Sequence, residues 1–275
     1  MEPRMRRLIA FSCEGATLAG SVDVGESAAQ RDMGVLLVIG GSQTRIGSHR
    51  MYERLSKALA DKGYACFRYD RRGVGDSEGV DAGFRGSGPD LKAAADAFRS
   101  EVPGLTRITG FGLCDGATAL ALYGDEAGLD GLILANPWLV EAEEGAPAPA
   151  AIRAHYRKRL FSWSGLKRLF TGAVNFRKLW GGIRKLFSRR KPDSLSNDVA
   201  QALLRHRIPA EMILCTGDNT AIAADAEVRA WPHPELIRAT QLIETDSHTF
   251  ARPGDDAMLL TMVETALQEL NEVES

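Results

Sequence analysis

Arg107-Ile108-Thr109-Gly110-Phe111-Gly112-Leu113-Cys114-Asp115-Gly116-Ala117-Thr118-Ala119-Leu120-Ala121-Leu122-Tyr123 is the stretch on which the fold turns. Arg107 to Phe111 reads as a strand, and Ala117 to Tyr123 as a helix rich in small residues. Between them, Gly112-Leu113-Cys114-Asp115-Gly116 matches a glycine, any residue, a nucleophile, any residue, a glycine at a strand-to-helix junction. A nucleophile presented there sits on a tight turn, and glycines on either side let strand and helix approach each other. A helix N-terminus also favours an anionic side chain, which suits a thiolate at Cys114. The alternative for Cys114 is a buried packing cysteine, which is the reading preferred for Cys13, Cys66 and Cys215.

Outward from this junction the chain alternates apolar runs with amphipathic stretches. Thr17 to Asp23, Val35 to Ile39, Ala65 to Tyr69, Leu132 to Leu134, Glu211 to Cys215 and Leu236 to Ile243 read as further strands. Helices are expected over Ser48 to Lys62 with Gly63 as C-cap, from Pro89 to Glu101, and from Asp256 to Leu270. This alternation implies an α/β protein with a mostly parallel sheet flanked by helices. No strand-like run occurs between the Leu132 and Glu211 strands. The expectation is therefore a core of residues 1–136 and 208–275, with 137–207 inserted as a mainly helical cap.

Composition is that of an ordinary globular chain: 275 residues, 44% hydrophobic and 25% charged. The four cysteines have no metal-ligand spacing, so neither a metal site nor a disulfide framework is expected, and the chemistry calls for no cofactor. Arg4, Arg6 and Arg7 precede only the short apolar run Leu8 to Phe11, too brief for a signal peptide or membrane span. A cytoplasmic location, or one peripheral to the inner face of the membrane, is the expectation.

A thiol nucleophile needs a base, and His248 lies in Asp246-Ser247-His248-Thr249-Phe250, between the last strand and the last helix. His206, His155 and His233 are placed less favourably. The third member should follow the Glu211 strand, where Asp218 in Gly217-Asp218-Asn219-Thr220 would orient the imidazole. Asp225 is the fallback, and Asp218 could instead be a turn or cap residue. Oxyanion donors are expected from the backbone N–H groups of Asp115 and Ser42. Gly41, Gln43 and His49 are candidates to line the pocket.

With these residues in hand, the chain resembles the α/β-hydrolase superfamily and, more narrowly, the group called exosortase A system-associated hydrolase 1. The resemblance rests on Gly40-Gly41-Ser42-Gln43 with Arg45 and Gly47-Ser48-His49-Arg50, on Arg72-Gly73-Val74-Gly75-Asp76-Ser77-Glu78-Gly79, and on Gly112-Leu113-Cys114-Asp115-Gly116. It implies an α/β-hydrolase fold and a hydrolase associated with exopolysaccharide production and exosortase-dependent sorting, without identifying the substrate. The residues themselves point to ester or thioester hydrolysis, the alternative being a non-catalytic hydrolase-fold protein that binds a membrane or partner through the basic segment. Cysteine at the elbow also resembles dienelactone hydrolases.

Charge is unevenly distributed. The net charge is −2, yet thirteen of the 34 lysines and arginines fall within residues 151–191, which contain no Asp or Glu. Leu166, Leu169, Phe170, Val174, Trp180, Ile183 and Phe187 recur among them near helical spacing, and Gly172, Gly181 and Gly182 interrupt the pattern. Such a segment could cover the active site with its charges in water. It could also rest on an anionic membrane surface, or select an anionic or lipid-linked acyl substrate. Nucleic acid is not an expected partner, because no nucleic-acid motif accompanies the charge.

Overall fold

The order of strands in the sheet follows from where the apolar runs lie. In the computed structural model, which describes residues 5–25, 31–141 and 194–272, the strands are β1 (Met5–Cys13), β2 (Ala16–Val24), β3 (Met33–Val38), β4 (Ala65–Tyr69), β5 (Arg107–Leu113), β6 (Gly131–Ala135), β7 (Ala210–Cys215) and β8 (Ile237–Ile243). They form one sheet in the order β1-β2-β4-β3-β5-β6-β7-β8, with β1, β2 and β4 paired antiparallel and every later pairing parallel. Every residue of β3, β4, β6 and β7 is buried, as continuous apolar strands in the middle of a doubly covered sheet should be.

The helices are α1 (Met51–Asp61), α2 (Gly88–Glu101), α3 (Asp115–Tyr123), α4 (Ser194–His206), α5 (Asn219–Val228) and α6 (Asp255–Glu272). Right-handed crossovers fix their sides. The connection from β3 to β4 runs one way along the sheet, and those from β4 through β8 run the other. α1 therefore lies on one face, where it packs against α6, and α2, α3 and α4 pack together on the opposite face. This is the α/β-hydrolase arrangement, with a mostly parallel sheet between helices.

The sequence reading differs from the structure at two places. Met5–Cys13, read only as a brief apolar run, is an edge strand hairpinned to β2 through Glu14 and Gly15, both at positive φ (46° and 84°) as a two-residue hairpin turn requires. The helix expected from Ser48 starts as a 3-10 turn over Ser48–Arg50, and α1 proper begins at Met51, because His49 and Arg50 adopt left-handed φ values of 41° and 64°. At its other end Gly63 closes α1 as expected, donating to Ala60 O at 3.0 Å while Tyr64 N–H reaches Leu59 O at 3.1 Å. Of the expected cap, residues 137–141 and 194–207 are described, and α4 packs on α3. Residues 142–193, with the basic stretch 151–191, lie outside the described residues. Among the described residues no helix is long and apolar enough to cross a membrane.

A buried ionic knot ties the antiparallel side of the sheet to the loop after β3. Asp23 on β2 accepts from Arg6 Nε at 2.6 Å, from Ser56 Oγ at 2.5 Å and from Arg68 Nη2 at 2.9 Å. Burial works against its charge, but these donors outweigh burial and hold the carboxyl below its ordinary range. Arg68, 2% exposed, also donates to the carbonyl of Arg45 at 2.9 Å. Arg45 in turn pairs with the buried Asp70 and, at 2.9 Å, with Asp76. The Asp70 carboxylate also accepts the Asp76 N–H at 3.1 Å, and Ser77 Oγ links the Asp70 carbonyl to Ala19 N–H. The Arg72–Gly79 motif is thus structural: it anchors the loop carrying Gly40 to Arg50. Replacing Asp23 with alanine leaves Arg68 buried and unpaired, and should lower unfolding free energy by about 3–5 kcal/mol in urea denaturation.

Candidate active site

Strand β5 ends at Leu113 and α3 begins at Asp115, so the chain turns on Cys114 alone, at φ 60° and ψ −126°. Such a conformation is rare for a residue with a Cβ and persists only where neighbours enforce it. Here Cys114 N–H donates to Ala135 O at 3.0 Å, and Cys114 O accepts from Trp138 N–H at 3.2 Å and Ala117 N–H at 3.1 Å. The loop after β3 presses against the turn: a Cβ on Gly116 would lie 2.5 Å from Val38 O, and one on Gly40 2.5 Å from Leu113 O. The side chain of Asp115 closes this contact by accepting the Gly41 N–H at 2.5 Å.

All four cysteines are free thiols, and only Cys114 reaches solvent. Burial pushes the thiols of Cys13 and Cys215 up to about 11, and that of Cys66 further still. These three are packing residues.

The structure brings His248 and Asp218 to Cys114. Asp218 follows β7 and is the N-cap of α5; its Oδ2 accepts both the Ala221 N–H at 2.9 Å and His248 Nδ1 at 3.0 Å. It therefore caps a helix and orients the imidazole at once, the two readings that the sequence had set against each other. Asp225 lies one turn into α5, paired with Arg229 at 2.8 Å, and is not the partner. The Cys114 side chain faces the other side of the His248 ring. The Asp218 bond, then the proximity of Cys114, raise the His248 pKa from 6.5 to about 10 against the opposing effect of burial. A raised histidine pKa stabilises the folded state fully below pH 6.5, and that contribution is lost as pH rises through about 10.

A cavity of about 300 Å³ opens beside these groups, lined by Gly40, Gly41, Gln43, Tyr52, Phe84, Leu113, Cys114, Asp115, Trp138 and His248. Gly41 and Gln43 thus take the expected places. His49 does not line the cavity; its Nε2 lies 2.8 Å from Thr249 O and its Nδ1 3.0 Å from Arg54 Nη2, because its left-handed backbone turns the ring toward the last loop. Ser42 is exposed and also outside the lining. Among the described residues its N–H and that of Asp115 make no hydrogen bond, whereas that of Gly41 is taken. Of the other histidines, His206 pairs with Asp125 at 2.7 Å and His233 with Glu235 at 2.9 Å, and His155 lies outside the described residues.

Two positioning residues were missed in the sequence. The buried hydroxyl of Tyr52 donates to Val38 O at 2.9 Å and accepts Leu113 N–H at 3.0 Å, bridging the ends of β3 and β5. Its signal was a tyrosine on the same helical face as Leu55 and Leu59. Asn136, fully buried, accepts Cys215 N–H at 2.9 Å and donates to His248 O at 3.0 Å. A polar residue directly after the apolar β6 was the available hint.

Comparison with known proteins agrees with this fold. The family model described as serine aminopeptidase, S33, matches residues 33–227, a span that includes Cys114 and Asp218 and stops before His248. Among solved structures, an esterase of Pyrococcus furiosus superposes with a TM-score of 0.66 at 16% identity, over 97% of this chain and 91% of that one. Est1E of Butyrivibrio proteoclasticus, solved with ferulic acid bound, gives 0.63 at 14% over 96% and 99%. A dienelactone hydrolase of Anabaena variabilis gives 0.60 at 14% over 97% and 98%. At such identities these three share the fold. A search of curated proteins finds no match.

The Asp218 contact makes a direct prediction. In NMR titrations of the His248 imidazole, Asp218→Asn should lower the midpoint from its value near 10 by at least about one unit, since an amide supplies the hydrogen bond without the charge.

Proposed function

This chain belongs to the serine aminopeptidase S33 family, and from that premise we infer that it hydrolyses an ester or thioester with Cys114 in the place of the family's serine. The observation that carries the reading is a histidine bonded to a buried aspartate and facing the elbow cysteine across one cavity. In this scheme Cys114 Sγ attacks the acyl carbon while its proton is already held on His248. The tetrahedral oxyanion is held by the N–H groups of Asp115 and Ser42. Collapse expels the alcohol or thiol, protonated by His248, and leaves an acyl-cysteine. Water then attacks that carbonyl while His248 removes its proton, the carboxylic acid departs, and the thiol is restored. An acceptor other than water in the last step would make the same site an acyltransferase.

Two features favour an ester or thioester over an aminopeptidase substrate. An α-ammonium group needs a carboxylate partner, and among the described residues lining the cavity the one carboxylate is Asp115, whose Oδ1 is engaged by Gly41. Tyr52, Phe84, Leu113 and Trp138 instead give the acyl group apolar walls. The sequence resemblance to exosortase-associated hydrolases supports a role in exopolysaccharide metabolism, with the core at 1–136 and 208–275 and an inserted 137–207. The charge of residues 151–191 favours a second reading, in which the segment carries the chain to an anionic lipid surface near a lipid-linked substrate.

With p-nitrophenyl esters and acyl thioesters, Cys114→Ala and His248→Ala should each lower kcat/KM by roughly a thousandfold or more. Iodoacetamide should label Cys114 ahead of the other three cysteines by mass spectrometry. Absence of turnover together with an unreactive Cys114 would sink the reading. For the basic stretch, sedimentation with phosphatidylserine vesicles should pull down the full chain in low salt and release it in high salt. Deletion of 151–191 should remove that binding, whereas equal binding by the deleted protein would refute the membrane role.

A further inference from the structure

The loop that delivers His248 is tied down at successive carbonyls, and the ties come from different parts of the fold. Ser247 O accepts the Phe250 N–H at 3.2 Å, and His248 O accepts from the Asn136 side chain at 3.0 Å, both within the body of the protein. Thr249 O, the next carbonyl, is met from outside by His49 Nε2 at 2.8 Å. His49 lies 200 residues and several elements away, in the turn that precedes α1.

The chemistry of that contact fixes the tautomer. Arg54 Nη2, 3.0 Å from His49 Nδ1, has hydrogens to give and no lone pair to accept with. Nδ1 must therefore be the unprotonated nitrogen, and Nε2 carries the hydrogen that goes to Thr249 O. Arg54 also faces Asp256, 3.8 Å away in the first turn of α6, so it spans from the His49 ring to the helix that follows the His248 loop. The backbone conformation points the same way. His49 and Arg50 occupy the left-handed region in succession, where side chains with a Cβ are rarely found, and that is the local irregularity that separates the 3-10 turn from α1. Strain of this kind persists where tertiary contacts specify it. Here the tertiary contact is the His49 bond to Thr249, and Arg50 adds a local pairing with Glu53.

We propose that His49 is a positioning residue for His248: by donating to Thr249 O it fixes the outer side of the loop that Asn136 fixes from within, and so holds the imidazole between Asp218 and Cys114. The proposal rests on the hydrolase reading for its effect on rate. Its geometric content can be tested without turnover.

The test compares the full-length wild type with His49→Ala, His49→Gln and, as a control, His233→Ala. Glutamine can donate through its amide nitrogen to Thr249 O and accept from Arg54 through its oxygen. The readouts are the His248 imidazole titration by NMR, kcat and KM on p-nitrophenyl acetate, and the thermal midpoint. His49→Ala should move the His248 midpoint down by about one unit, because the bond to Asp218 and the approach to Cys114 loosen. It should also lower kcat about tenfold to a hundredfold with KM within about twofold, as expected for displacement of a catalytic group. His49→Gln should recover most of both, and His233→Ala should change neither. The proposal is overturned if His49→Ala leaves the His248 midpoint at its wild-type value, or if His49→Gln shows the same loss as alanine. A wild type that turns over no ester, yet shows the midpoint shift and its rescue, would remove the hydrolase reading and leave the positioning role standing.

Discussion

The contact between the turn at Cys114 and the loop after β3 is the constraint on which the rest of the site depends. A nucleophile exposed between a strand and a helix requires positive φ, a conformation that on its own costs on the order of 1–3 kcal/mol. The protein holds it by packing backbone against backbone, with Gly40 and Gly116 at the points of closest approach. Asp115 then fastens the two segments through Gly41, and Tyr52 fastens the strands beneath them through Val38 and Leu113. Any substitution that opens this seam displaces Cys114 and the loop it faces together.

Several parts of this arrangement are written in local sequence. The central strands are short, mainly apolar runs; Cys114 and Asp218 follow two of them and His248 follows the edge strand β8, where a parallel sheet exposes loop residues. The two-glycine motif around Cys114 encodes the sharp turn directly. What the sequence conceals depends on partners distant in the chain. Nothing around Tyr52 announces that its hydroxyl will bridge two strands, and nothing around Asn136 announces that it will reach His248 O. His49 was expected at the cavity as a residue of the first helix, yet its backbone turns it to Thr249 instead. β1 escaped notice because an edge strand carries exposed residues, such as Leu8 at 72%, that blur the alternation expected of a strand.

The division of labour across the sheet also explains why the Arg72–Gly79 motif is so elaborate without touching the cavity. Arg45, Asp70 and Asp76 anchor the first loop of the site, and Asp23 with Arg68 anchors Arg45. A buried ionic knot of this kind adds little net stability compared with apolar packing, but it fixes geometry, since each donor has a single acceptable place. Its outcome here is a first loop held as firmly as the elbow it faces.

β6 and β7 lie side by side, with Leu132 opposite Ala210 and Ala135 opposite Ile213, although residues 136–209 separate them along the chain. Because the two strands meet directly, the sheet closes around whatever that connection contains. The entropy of closing a flexible connection grows only with the logarithm of its length, by about 0.6 kcal/mol per doubling. Sequence within residues 142–193 of that connection can therefore lengthen, shorten or change its charge at small thermodynamic expense to the sheet, while Asn136, Trp138 and α4 stay in place. Evolution is left free to rewrite this stretch while the elbow, the acid and the base stay in place.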